Sequence, residues 1–149
     1  MPSGTTLPEF DLPTGGGGRV TRADLASGRT VLYLYPKDDT PGCTIEAHEF
    51  SALLPEFEAR GVRVYGVSPD SAKSHDRFSA KCELSVPLIA DADKVLIGAL
   101  GSWVEKSMYG RTYMGVERST FVIGPEGTVE REWRQVKARG HAAEVLAAL

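Results

Sequence analysis

The sequence predicts a layered α/β domain built on a mixed sheet, and three observations predict it. The run Val31 to Tyr35 is apolar without polar alternation, so it reads as a central strand covered on both faces. Strand-like and helix-like segments then alternate, which is the order of sheet strands joined by helices. Two further strand-like runs flank Gly124-Pro125-Glu126-Gly127, and a hairpin of that kind is antiparallel. The 149 residues, 42% hydrophobic and 25% charged, fit one domain over 1–149. A chain of this size can bury a core without a metal or a disulfide.

In chain order, Phe10 to Leu12 and Arg19-Val20 read as two short strands, and Gly15 to Gly18 as a flexible turn between them. A phosphate loop is excluded there, because no Lys-Ser/Thr pair or helix follows. Thr21 with Asp24 has the pattern of a one-turn helix start. Phe50, Leu53, Leu54 and Phe57 recur at helical spacing, with Gly61 as a left-handed stop and Pro55 as an expected kink. Val62 to Val67 and Val86 to Ile89 read as strands. Asp70 to Glu83 and Ala92 to Leu100 read as helices. Arg118 to Ile123 and Thr128 to Trp133 form the hairpin, and His141 to Leu149 a last helix after Gly140.

The 17 basic and 20 acidic side chains leave a net charge of -3, which argues against a nucleic-acid binder relying on overall positive charge. No apolar run approaches the ~20 residues of a membrane span. No signal-peptide pattern is visible at the start, so the expected compartment is the cytoplasm. Two cysteines exclude a disulfide scaffold and a four-thiolate zinc site, and His48, His75 and His141 show no metal-ligand spacing around them.

The most informative stretch is Tyr35-Pro36-Lys37-Asp38-Asp39-Thr40-Pro41-Gly42-Cys43-Thr44-Ile45-Glu46-Ala47. It leads from a buried strand into a helix, with Thr40 as N-cap and Pro41 at the first helical position. Cys43 then falls in the first turn, where unpaired N–H groups and the helix dipole favour a thiolate. On position alone both a small buried hydrophobe and a reactive thiol remain open. Arg118 by itself reads as an exposed strand residue in a salt bridge, and Glu46 as a favourable acid near a helix N-terminus.

The spacing Pro36-x-x-x-Thr40-x-x-Cys43 resembles the peroxidatic motif of the peroxiredoxins. The string YPKDDTPGCTIEA is similar to their Q-type branch, also called bacterioferritin comigratory proteins. The likeness continues through Ser85 to Asp91 and Gly101 to Ile123. The resemblance implies a thioredoxin-like fold with an N-terminal β extension. It implies a thiol peroxidase in which a cysteine thiolate takes an oxygen from hydrogen peroxide or an organic hydroperoxide and becomes a sulfenic acid. By the same resemblance Cys43 is the nucleophile. The Thr40 hydroxyl binds thiolate and peroxide, and the N–H groups of Gly42 and Cys43 contact peroxide oxygen. Pro36 shields the site, Arg118 favours the thiolate, and Glu46 orients Arg118. No metal or organic cofactor is implied, and the expected enzyme is a monomer recycled by thioredoxin or a similar dithiol.

Many Q-type members carry a resolving cysteine at the position of His48, so a disulfide within the first helix is impossible here. The other thiol is Cys82. Some members place a resolving cysteine on that helix about one turn earlier, which makes Cys82 the implied resolving residue. A one-cysteine peroxidase, and a sensor or binding module that relays Cys43 oxidation, are the competing readings. The absence of a C-x-x-C pair weakens a disulfide oxidoreductase. Trp103 and Tyr35 are weaker candidates for the pocket wall.

Overall fold

The computed structural model describes residues 4–149. Two short antiparallel strands, β1 (Asp11–Pro13) and β2 (Arg19–Thr21), form the N-terminal extension. The glycine run between them is a docked 3-10 turn rather than a loose one. Gly16 and Gly17 adopt φ of +82° and +81°, and the Gly16 N–H donates to Asp76 Oδ1 at 2.6 Å. Thr21 and Asp24 form the expected reciprocal capping box over a second 3-10 turn, Arg22–Ser27.

The remaining elements are β3 (Arg29–Leu34), α1 (Pro41–Ala59), β4 (Val62–Ser68), α2 (Ala72–Cys82), β5 (Leu88–Ala90), α3 (Val95–Ala99), β6 (Trp103–Met108), β7 (Arg111–Val116), β8 (Ser119–Ile123), β9 (Val129–Trp133) and α4 (His141–Ala147). The main sheet has the order β5-β4-β3-β8-β9. Strands β3, β4 and β5 run parallel, β8 antiparallel to β3, and β9 antiparallel to β8. The sheet is therefore mixed, as expected.

Strand β3 divides the core by its two-residue period. Leu32 and Leu34 point to one face, with Leu25, Leu96, Ile97, Leu100 and Phe121. Val31, Tyr33 and Tyr35 point to the other, with Phe50, Phe57, Phe78 and Val145 of the three longer helices. The Phe50 ring stacks on Tyr33 at 4.4 Å between centroids, which seats α1 on the sheet. Gly66, opposite Tyr33 in the register, makes room for this ring, because a Cβ there would lie 2.7 Å from it.

Several expected boundaries shift, and one element is new; α2 spans Ala72–Cys82 within the expected Asp70 to Glu83. Helix α3 spans Val95–Ala99 and not Ala92 to Leu100, because the Asp91 carboxylate takes the N–H groups of Val95, Leu96 and Ile97 and holds the residues before them in a turn. Strand β5 begins after Pro87 rather than at Val86. Residues 103–116 form a two-stranded hairpin that was not anticipated. Its turn, Tyr109-Gly110, has φ of +53° and +77°, and that dipeptide between β-rich runs was the available signal. Helix α1 runs on past Pro55 to Ala59, and Gly61 ends it at φ +71° as predicted.

Candidate active site

Strand β3 delivers the chain through Tyr35 and Pro36 to Thr40, and α1 starts at Pro41, so Cys43 occupies the first helical turn. The Cys43 side chain is buried at 1% exposure beneath the guanidinium of Arg118. Arg118 lies just before β8 rather than within it. Its Nη2 donates to Cys43 Sγ at 3.2 Å, and its Nη1 donates to Glu46 Oε1 at 2.6 Å. One cation thus spans the thiol and a carboxylate one helical turn further on. The arginine backbone is held on both sides. Glu117 N–H donates to Ser102 O, and Val136 N–H donates to Arg118 O. The carboxylate of Glu117 takes two N–H groups of Arg134, at 3.0 and 3.1 Å, and that of Gln135. Arg134 was not singled out from the sequence, because nothing local marks a residue that acts across three loops.

The electrostatics are those of a dry ion pair. Burial pushes the Glu46 carboxyl up to about 7, against the lowering effect of Arg118. Its Oε2 has no hydrogen-bond partner among the described residues. Burial lowers the Arg118 pKa, but Glu46 and Cys43 outweigh it and hold the guanidinium above its ordinary value. Burial, with Glu46 next, raises the hydroxyl of Tyr33 well above its usual range, and this hydroxyl also lacks a partner among the described residues.

Gly42 lies directly under the arginine, since a Cβ there would stand 3.1 Å from Arg118 Nη2. Thr40 is the N-cap residue, but its hydroxyl makes no cap bond. It donates instead to Lys37 O at 2.9 Å, so its proton is not spent on the sulfur in this state. Pro36 is half-buried at the strand end. Trp103 packs on the opposite face of the sheet with Lys94 over its ring, and the Tyr35 hydroxyl is taken by Asp38. Cys82, at the last position of α2, is half-buried, and both cysteines are free thiols.

A second polar cluster lies behind the helix lead-in. Asp38 accepts from Tyr35 Oη at 2.6 Å and Ser74 Oγ at 2.7 Å, and pairs with His75 Nδ1 at 2.7 Å. His75 Nε2 donates to Ile89 O. Burial raises the Asp38 carboxyl, but these hydrogen bonds prevail and leave it below its ordinary value. Sequence reading named neither Asp38 nor His75 as a partner of the other, because folding alone brings them together.

The chain matches the AhpC/TSA family over residues 3–132. It is 51% identical over 142 residues to peroxiredoxin Bcp of Xanthomonas campestris, across 94% of this chain and 89% of that one. A cysteine-to-serine mutant of Xylella fastidiosa PrxQ superposes with a TM-score of 0.94 at 45% identity, over 99% and 94% of the two chains. A trapped intermediate/ligand complex bearing on the alkyl peroxide reduction activity of the Xanthomonas campestris bacterioferritin comigratory protein superposes at 0.89. It is 47% identical, over 97% and 96% of the two chains.

Proposed function

The chain belongs to the AhpC/TSA family and is a peroxiredoxin, a thiol peroxidase, and from that premise we propose that Cys43 is the thiol that peroxide oxidises. The observation that carries the assignment is the 3.2 Å hydrogen bond from Arg118 Nη2 to Cys43 Sγ in the first turn of α1. A permanent cation at that distance holds the sulfur in place and is positioned to stabilise negative charge as the O–O bond breaks. The thiolate attacks one peroxide oxygen, the S–O bond forms, and the O–O bond breaks. The product is a Cys43 sulfenic acid plus an alkoxide or hydroxide that takes up a proton. Charge moves from sulfur to the departing oxygen, so the Arg118 guanidinium and the N–H groups of Gly42 and Cys43 act as the oxyanion donors. Thr40 keeps hydroxyl lone pairs free to accept from the incoming peroxide, Pro36 limits water, and Glu46 orients Arg118.

Cys82 is the resolving thiol in this reading, and a dithiol donor such as thioredoxin reduces the resulting disulfide. Its support is that Cys82 is the other thiol of the chain, and that the segment around it is tied by hydrogen bonds to α1. In this reading the enzyme works as a monomer in a reducing cytoplasm. The test is peroxide consumption, with hydrogen peroxide and with an organic hydroperoxide, in the presence and absence of thioredoxin. Wild type turns over with the donor, and Cys43→Ser loses turnover entirely. Undiminished activity of Cys43→Ser would remove the assignment.

A further inference from the structure

The end of α2 that carries Cys82 is stitched to α1 and its lead-in. Lys81 Nζ donates to both oxygens of Asp39, at 2.8 and 3.1 Å. His48, further along the helix that holds Cys43, has its Nε2 at 3.1 Å from the carbonyl oxygen of Cys82. A carbonyl only accepts, so this nitrogen carries the proton. The N–H groups of Ser85 and Val86 go to Ser51 Oγ, and the Ser85 hydroxyl donates to Ser51 O. Pro55, which has no N–H, leaves that Ser51 carbonyl available.

The two ends of α2 are held differently. The first turns are anchored by the buried Asp38–His75 pair, both side chains nearly free of solvent contact. The last turn is held by exposed polar contacts and by the half-buried Cys82 against the core, and exposed contacts open far more cheaply than buried ones. A cavity of about 370 Å³, lined by Asp38, Asp39, Ser74, Arg77, Phe78 and Lys81, lies beside that last turn and leaves it room to shift.

We infer that His48 is a positioning residue for the second half of the reaction. Its hydrogen bond latches the Cys82 end of α2 onto α1 and must break before the Cys82 sulfur reaches the Cys43 sulfenic acid. The inference rests on the reading of Cys82 as the resolving thiol. In that step the Cys82 thiolate attacks the Cys43 sulfur, the S–S bond forms and the S–O bond breaks. The hydroxide that leaves takes the proton lost by the Cys82 thiol and departs as water, so no further oxidant or reductant enters. While the latch is closed, the site keeps the fold that accepts peroxide. The sulfenic acid also lives longer and is open to a second peroxide, which yields a sulfinic acid.

The experiment separates the two half-reactions in single-turnover mixing with one equivalent of hydrogen peroxide. Peroxide loss is followed directly, and disulfide by rapid alkylation and mass mapping. In His48→Ala, Cys43 oxidation keeps the wild-type rate and disulfide formation is about two- to tenfold faster, the span expected for one hydrogen bond. His48→Gln, which retains a donor, returns towards the wild-type rate, and His48→Ala accumulates less sulfinic acid at excess peroxide. Disulfide formation in His48→Ala at or below the wild-type rate overturns the latch. If the wild type forms no Cys43–Cys82 disulfide, the resolving role fails instead, and the latch is then read from Cys82 alone. In a Cys43→Ser background, N-ethylmaleimide labels Cys82 about two- to tenfold faster after His48→Ala if the latch exists. Equal labelling rates refute it.

Discussion

Glu46 presents a buried carboxylate with one oxygen satisfied by Arg118 and the other left without a partner among the described residues. In the folded chain burial holds its proton up to about pH 7, while the unfolded chain releases it near pH 4.5. Between those limits the folded state binds the extra proton, so stability falls as pH rises across the window. A Glu46→Gln variant has no such step. Measured in a Cys43→Ser background by urea denaturation, it should gain about 1–3 kcal/mol relative to the Glu46 protein between pH 5 and pH 8. A constant difference across that range would show that Glu46 ionises at its ordinary pKa. At Gly42 the contact is steric. A methyl group would press on Arg118 Nη2 from 3.1 Å, and the guanidinium would have to yield by a few tenths of an ångström. The φ of Gly42 is not positive, so alanine suits the helix backbone and helix propensity favours it. Gly42→Ala should therefore leave the melting temperature level or raised, yet slow Cys43 oxidation about tenfold through the displaced charge. An unchanged oxidation rate would mean that Arg118 tolerates the shift.

At the scale of elements, the lead-in to α1 and the first turns of α2 form one unit through Asp38 and His75. Both side chains are almost wholly buried, and the pair also draws in Tyr35, Ser74 and the Ile89 carbonyl. Removing one member leaves a charge without its partner in a dry site, which costs about 3–5 kcal/mol. His75→Ala should accordingly lose about that much stability in denaturant unfolding, and Asp38→Asn less, because the amide oxygen still accepts from one of the two hydroxyls, Tyr35 or Ser74. Should His75→Ala cost under about 1 kcal/mol, the cluster would not be the anchor of α2. The hydrogen-bonded ladder on either side of β3 is made by other residues, so both variants should keep their far-ultraviolet dichroism.

For the whole molecule, the reaction cycle must deform the helix ends without disturbing the sheet. The β3, β4 and β8 strands are packed on both faces and form the centre of the hydrogen-bonded ladder. The first turn of α1 and the last turn of α2 add exposed polar contacts at their ends to the packing of Cys43 and Cys82 on the core. Hydrogen exchange on the Cys43–Cys82 disulfide form should therefore quicken within 40–46, 79–86 or both, with β3, β4 and β8 as protected as in the reduced protein. Loss of protection in the central strands would mean a global rearrangement instead.

Sequence alone determined the layered class, the central strand, and the strand-to-helix turn that places Cys43 in a first helical turn. Each follows from local rules: a buried strand has no polar alternation, and Thr-Pro opens a helix. The resemblance in the stretch from Tyr35 to Ala47 added the chemistry. The hairpin of β6 and β7 was legible only through Tyr109-Gly110, a weak signal because its residues pack little and lean on turn geometry. The short α3 was misjudged because the Asp91 side chain, not helix propensity, decides where that helix starts. Tertiary structure alone decided the contacts between residues far apart in the chain. These are Arg118 over Cys43, Arg134 on Glu117, Asp38 against His75, and His48 on the Cys82 carbonyl. None has a local pattern, because each depends on which loops the strand order β5-β4-β3-β8-β9 brings to one end of the sheet.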